Sequence, residues 1–335
     1  MRRLVSAAGR VYADRARLAP AIARSTGLTP EGVELGFASL EREATDTELE
    51  ALVARAGHAE RVHVILSANV FVAPLRALAV ARAAAPRVTV RPSPRDPALT
   101  RALVEATGED AVALAEDRDV AAIDAGELHV YGSDETIATI RADVGPGVVV
   151  RGHGSGLGLA VVSGGADVES AAEAIAGDVV AFDQRGCLSP RVVLVEGDEG
   201  RGAALARTLH DRLAAWSRRV PRGALTDDER VDAVRWRGAL AFAGSLWSGP
   251  DHEVALAPRA APLAIPPAGR HVLVSMVPRL DGVAPAIAAV ARFVVAVGTD
   301  DVARVSAFVP PHARLSALGR MQRPPLDGPV DRRAV

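Results

Sequence analysis

The side chain with the most chemistry to offer is the chain's single cysteine, Cys187. It lies in Asp183-Gln184-Arg185-Gly186-Cys187-Leu188-Ser189-Pro190, a polar Gly/Pro-containing loop and not an apolar stripe. A thiolate is the strongest side-chain nucleophile and forms thioesters readily. A buried structural thiol is the other reading of a lone Cys. The loop is read as following a strand at Val179–Phe182, and loops at strand ends are where nucleophiles are presented. Asn69, in Ser67-Ala68-Asn69-Val70-Phe71, sits at a strand-to-helix junction. It is either an Asx turn or a side-chain amide that donates to an oxyanion. Arg91-Pro92-Ser93-Pro94 follows the next strand. Two prolines can make it a plain turn; alternatively Arg91 and Ser93 meet a ribose or its 2′-phosphate at a sheet edge. In Tyr131-Gly132-Ser133-Asp134, Ser133 is a helix N-cap, and the same turn can offer backbone N–H groups to a phosphate.

Composition narrows the field. The 39 Lys+Arg residues are all Arg, so a Walker P-loop, a Schiff-base lysine and Ser-x-x-Lys enzymes are excluded. One Cys excludes an intrachain disulfide and any multi-Cys zinc or iron–sulfur site. A net charge of −2 offers no field for nucleic acid or anionic membrane. No apolar stretch is long enough to span a membrane and no signal peptide is visible, so a cytoplasmic protein is expected. Gly152-His153-Gly154-Ser155-Gly156-Leu157-Gly158 fits neither G-x-G-x-x-G nor G-x-S-x-G. The remaining His residues show no metal-ligand spacing, and no metal is expected.

These residues need elements to hold them. The first sixty residues read as helices, with Thr29-Pro30-Glu31 and Thr45 as N-terminal signals. Strands are expected at Val62–Leu66, Arg87–Val90, Ala111–Ala115, Val120–Ile123, Leu128–Tyr131 and Gly147–Val150. They alternate with helices at Pro74–Ala84, Asp96–Gly108 and Asp134–Ile140, the mark of βαβ units. Beyond residue 152, strands are expected at Leu159–Val162, Val179–Phe182, His271–Ser275, Phe293–Val297 and Val305–Val309. Helices are expected at Val168–Ala176, Glu199–Arg218, from Thr226 and at Val283–Val290. The expected organisation is α/β: N-terminal helices and a Rossmann-like cofactor domain over 1–151, an α/β domain carrying the Cys over 152–318, and an extended Pro-rich tail over 319–335.

The ordered set of motifs resembles the aldehyde dehydrogenase superfamily. There an Asn after a strand precedes a Lys-Pro-Ser turn; here Asn69 precedes Arg91-Pro92-Ser93. A Gly-Ser turn that binds the cofactor pyrophosphate is matched by Gly132-Ser133, a Gly-rich linker by Gly152–Gly158, and the nucleophile by Cys187. Within the superfamily the chain is most similar to the LuxC-type acyl-CoA and acyl-protein thioester reductases. The likeness lies in His63–Phe71, Val130–Val162 and Asp178–Gly197, and fades beyond residue 200. The resemblance implies an aldehyde-dehydrogenase-like fold and NADPH- or NADH-dependent reduction of an acyl-CoA or acyl-carrier-protein thioester to an aldehyde through an acyl-Cys187. It implies Asn69 as oxyanion donor, Arg91, Ser93, Gly132 and Ser133 as cofactor contacts, and leaves a homodimer open. Hydrolytic members carry a general-base Glu ahead of the Cys. Here that position is His153, and no Glu occurs between Glu135 and Glu169. A thioester reductase needs no hydrolytic water, so the missing Glu fits reduction. Two alternatives stay open: an oxidative dehydrogenase with His153 as base, and a shortened non-catalytic member, because the chain is shorter than is usual in either family.

Overall fold

In the computed structural model, residues 1–335 are described except 41–42, 109, 116–118, 241–243, 260 and 334–335. The chain opens with four helices, α1 (Arg2–Ala13), α2 (Arg15–Thr26), α3 (Pro30–Phe37) and α4 (Asp46–Arg55). The starts of the latter two follow from local chemistry. The Thr29 hydroxyl accepts the Gly32 N–H at 3.2 Å, with Pro30 as the first helical residue. Thr45 and Glu48 form a reciprocal capping box. Leu4, Ala8, Val11, Ile22, Val33 and Phe37 line the buried stripe of the first three helices.

A first sheet follows, made of β1 (Arg61–Ile65), β2 (Arg87–Arg91), β3 (Val112–Leu114), β4 (Gly126–Tyr131) and β5 (Val148–His153). Helices α5 (Ala73–Ala84), α6 (Ala98–Thr107) and α7 (Asp134–Asp143) connect them. The strand order is β3-β2-β1-β4-β5 and every pairing is parallel. Strand order reverses between β1 and β4. At such a switch point neighbouring connections leave to opposite faces and open a crevice at the carboxyl edge. The helices α1–α6 share one core with β1 and β2, whereas α7 covers Leu128 and Val130 on the other face.

Only Gly154–Gly156 separate β5 from the second sheet. This sheet uses β6 (Leu157–Val162), β7 (Pro190–Glu196), β8 (Ser245–Ser248), β9 (Glu253–Leu256), β10 (His271–Val277), β11 (Val294–Thr299) and β12 (Arg314–Ala317), in the order β12-β11-β6-β7-β10-β9-β8. Its pairings are parallel apart from the β8–β9 edge. Helices α8 (Val168–Val180), α9 (Glu199–Arg219), α10 (Asp227–Leu240), α11 (Val283–Ile287) and α12 (Val302–Val305) accompany it. Central strands β6, β7 and β11 are apolar runs because both their faces are covered. The architecture is thus the expected mixed α/β fold with two largely parallel sheets.

Four expected elements differ. Val120–Ile123 is not a strand: Val120–Ala122 form a 3₁₀ turn that starts where the Asp119 carboxylate accepts the Ala121 N–H. Val305–Val309 is helical, because Asp301 caps a short helix there and the chain reaches the sheet only at Arg314. The helix from Val283 ends at Ile287. Val179 and Val180 are the last, fully buried turn of α8, their β-branched side chains packing as a helix stripe. The strand of this region lies after the cysteine, at Pro190–Glu196.

Between α8 and β7 the backbone turns through three consecutive left-handed residues, Phe182, Asp183 and Gln184, with φ of 55°, 51° and 64°. Left-handed backbone is unfavourable for L-residues and persists only where its surroundings over-determine it. Here they do. The Asp183 carboxylate accepts two hydrogen bonds from the fully buried Arg270 guanidinium, at 3.0 and 2.7 Å, and one from the Gly223 N–H at 2.9 Å. The Gln184 amide donates to the Pro190 and His271 carbonyls and accepts from the His271 N–H, all between 2.8 and 2.9 Å. Arg185 forks onto Glu229 at 2.7 and 3.0 Å. Removal of Arg270 leaves the buried Asp183 carboxylate with only the Gly223 N–H and the more distant Arg185 guanidinium, 3.9 Å away. Arg270→Met is therefore expected to destabilise the protein by about 3–5 kcal/mol in urea unfolding; a loss under 1 kcal/mol would show that the turn stands without the pair.

Candidate active site

Gly186–Ser189 form a turn closed by the Ser189 N–H donating to the Gly186 carbonyl at 3.1 Å, with Cys187 as its second residue. The turn sits at the amino edge of β6 and β7. A Cβ at Gly156 would lie 2.9 Å from Cys187 Cβ and 2.9 Å from a Val295 methyl, so only glycine lets the link between the sheets pass this close. Cys187 thus lies after the α8 helix and a 3₁₀ turn, not after the strand expected from Val179–Phe182.

Asn69 lies on the loop that reaches this turn from the first sheet. It is exposed in the loop between β1 and α5. The next residue, Val70, abuts the cysteine turn: a Cβ on Gly186 would meet a Val70 methyl at 3.1 Å. Phe71 anchors this loop between Phe37 and Phe182, with ring centroids 5.1 and 5.6 Å away in edge-on geometry. The aromatic cluster therefore locks the Asn69 loop to the left-handed turn ahead of Cys187.

His153 ends β5 and is buried, stacked on Tyr131 with centroids 4.4 Å apart. Neither ring nitrogen has a hydrogen-bond partner among the described residues. Burial, aided by His129, lowers its pKa to about 4, so the ring is neutral at pH 7.

Gly132 and Ser133 stand at the carboxyl end of β4, beside the switch point. The Gly132 N–H donates to the His153 carbonyl at 3.3 Å. The Ser133 hydroxyl caps α7, accepting the Thr136 N–H at 3.1 Å. Asp134 and Glu135 occupy the first turn of that helix, and Asp134 accepts the Ser155 N–H at 2.9 Å. Arg91 ends β2 beside Ile65 of β1. Ser93 is buried and shapes its turn, its carbonyl accepting the Asp96 N–H at 3.1 Å. Gly132, Ser133 and Ser93 follow strands of the first sheet at its carboxyl edge and Arg91 ends one; Arg91 and Ser93 lie one strand beyond the crevice.

Two residues not singled out in the sequence join this cluster. Asp331 and Arg333, near the C-terminus, act electrostatically on both Cys187 and His153. An acidic residue followed by two arginines in a Pro-rich tail was their only sequence signal, and it does not say where the tail goes.

Burial pushes the Cys187 thiol up to about 11, Asp331 adding to the rise and Arg333 opposing it. At pH 7 about one molecule in ten thousand then carries a thiolate. Cys187 is half-buried, and its iodoacetamide alkylation in the ligand-free protein is expected to be slow at pH 7 and to climb through about pH 11; a midpoint near that of a free thiol would contradict the upward shift. Gly156→Ala should displace the cysteine turn and destabilise the protein by about 1–3 kcal/mol in a thermal melt, with an unchanged melt excluding the close approach.

The fold has solved counterparts. An oxidoreductase from Marinobacter aquaeolei superposes with a TM-score of 0.71 at 15% identity, over 94% of this chain and 77% of that one. An NAD-dependent benzaldehyde dehydrogenase from Corynebacterium glutamicum gives 0.66 at 17%, over 91% and 77%. An NAD-dependent aldehyde dehydrogenase from Sinorhizobium meliloti gives 0.67 at 15%, over 94% and 73%. At these identities the likeness is one of fold, that of the aldehyde dehydrogenases. No curated protein matches the sequence. The family model described as acyl-CoA reductase (LuxC) matches residues 34–308, which span both sheets and Cys187. The chain belongs to the LuxC acyl-CoA reductase family.

Proposed function

We propose that the protein reduces an acyl thioester, carried on CoA or an acyl-carrier protein, to an aldehyde through an acyl group on Cys187. The observation that carries this reading is the meeting of two loops: the turn bearing Cys187 packs against the β1–α5 loop bearing Asn69, through Gly186 and Val70. Family membership supplies the reaction class.

The residues fit a nicotinamide dinucleotide, NADPH or NADH. The carboxyl edge of β1 and β4 opens at a switch point, the usual place for such a ligand. Asp134, the acid nearest the start of α7, is engaged by the Ser155 N–H. Gly132 and Ser133 would hold the pyrophosphate at that helix start, and Arg91 with Ser93 the adenosine ribose. The cofactor, when bound, supplies hydride. Everything else falls to the chain. Cys187 sulfur adds to the thioester carbonyl while its proton leaves with the departing carrier thiol. Asn69 and the Cys187 backbone N–H donate to the oxyanion. The acyl-Cys187 carbonyl would accept that hydride while the same two donors hold its oxygen; breaking the C–S bond of the resulting alkoxide would release the aldehyde and a Cys187 thiolate, which takes a proton from water.

The neutral His153, with a pKa near 4, is a weak base for activating water. This supports reduction over the hydrolytic alternative. A second reading, a family member that binds without turnover, draws on the raised thiol pKa. The decisive experiment mixes the purified protein with a long-chain acyl-CoA and NADPH or NADH. It follows absorbance of the reduced nicotinamide, free aldehyde, and the mass of the Cys187 peptide. Acyl-dependent oxidation of the cofactor with aldehyde formation is expected, lost on Cys187→Ser. Asn69→Ala should lower kcat about 10²- to 10³-fold, as loss of one oxyanion donor does. Full activity in Cys187→Ser would end the proposal. Absence of turnover and of acyl-Cys187 with both CoA and carrier-protein thioesters would establish the binding-only reading.

A further inference from the structure

Beyond β12 the chain runs without regular structure, and it is nevertheless strongly held. At its root the buried Asp178 carboxylate accepts the Gly319 and Met321 N–H groups at 2.7 and 3.1 Å. Met321 is buried and packs with Val295 and Ala296 beside Cys187. Further on, two buried arginines collect its carbonyls. Arg76 of α5 donates to Pro324, Pro325 and Gly328, at 2.7 to 2.9 Å. Arg314 donates to the Asp327 carboxylate at 2.7 Å and to the Pro329 carbonyl at 2.8 Å.

The segment then reaches the link between the sheets. Asp331 is only 7% exposed. Arg333 forks onto its carboxylate at 2.8 and 2.6 Å. Another Arg333 N–H donates to the carbonyl of Ser155 at 2.8 Å, and Arg333 also reaches the Arg292 carbonyl at 3.3 Å. Ser155 lies between His153, the last residue of β5, and Gly156, the residue seated against Cys187. The far end of the chain is thus pinned to the link between the sheets, one residue from the glycine seated against Cys187.

We propose that this C-terminal segment is a working part of the active site. Asp331 and Arg333 are positioning residues that hold the Ser155 link against the nucleophile and present one charge of each sign to Cys187. This rests on Cys187 as the reactive group. It adds a role for a stretch beyond the residues 34–308 that match the family model. The charged groups that act on the thiol are Asp331 and Arg333 from the tail and Arg191 from β7. Arg191 is common to every variant below.

The test reads the thiol and not turnover, so a protein that reduces no thioester still answers it. Neutral iodoacetamide is used across pH 7–11, and Cys187 labelling is followed by mass spectrometry. In Asp331→Asn the remaining Arg333 charge favours the thiolate, and the midpoint should fall by roughly half to one pH unit, about three- to tenfold faster labelling at fixed pH. In Arg333→Gln the remaining Asp331 charge opposes the thiolate, and labelling at fixed pH should slow by a similar factor. The double variant should return towards the parent. A tail with only a structural role would loosen in both single variants and speed labelling in both. Shifts of the same sign, or no shift in Asp331→Asn, would overturn the proposal. Where Arg333→Gln fails to fold, Asp331→Asn, which preserves shape, is read together with hydrogen exchange over the tail: faster labelling with unchanged exchange is expected, and faster labelling with faster exchange would overturn the proposal.

Discussion

The ion pair between Asp183 and Arg270 is the constraint on which the site depends. Three successive L-residues in left-handed backbone cost free energy that the local sequence does not offset. The turn exists because a buried guanidinium, itself at a positive φ of 68°, meets the carboxylate through two hydrogen bonds. A buried charge pair of this kind adds little net stability over an apolar alternative, yet loss of either partner is costly. It therefore acts as a specification device. It makes one path from α8 to β7 much better than its competitors, and that path places Cys187 at the amino edge of the second sheet.

The first sheet contributes by the opposite means. Its loops are aimed by topology: connections that leave β1 and β4 on opposite faces open a crevice at their carboxyl ends. Phe71 joins the two mechanisms, because it packs against Phe37 of the N-terminal helices and Phe182 of the left-handed turn. The N-terminal helices are thus part of the scaffold that brings Asn69 towards the cysteine, and not a separate appendage.

The electrostatics of the site follow from burial, His153 being buried and Cys187 half-buried. Burial raises the Cys187 thiol and lowers His153, so both rest in their neutral forms at pH 7. The neutral form of each group avoids the cost of placing charge in a low-dielectric interior. Under the proposed reaction the thiolate would have to form as substrate arrives. The two charged side chains that act on both groups, Asp331 and Arg333, come from the tail, so under the proposed reaction its seating bears on the nucleophile.

Much of this was written into short stretches of sequence. Caps at Thr29, Thr45 and Ser133 and the apolar runs of β1, β2, β4 and β6 determined helices and strands locally, because hydrogen-bonding side chains and two-sided burial leave direct marks on residue choice. The order of Asn69, Arg91, Gly132 and Cys187 carried the family. Where burial came from both a helix and a sheet, as at Val179–Phe182, the same β-branched residues suited either element, and only packing against β6 and β7 decided for the helix. The left-handed turn, the Arg270 that holds it and the approach of Asp331 and Arg333 were decided by tertiary structure alone. Their partners lie 87 and 178 residues away along the chain, and no local pattern records a contact whose cost and reward are separated by that much sequence.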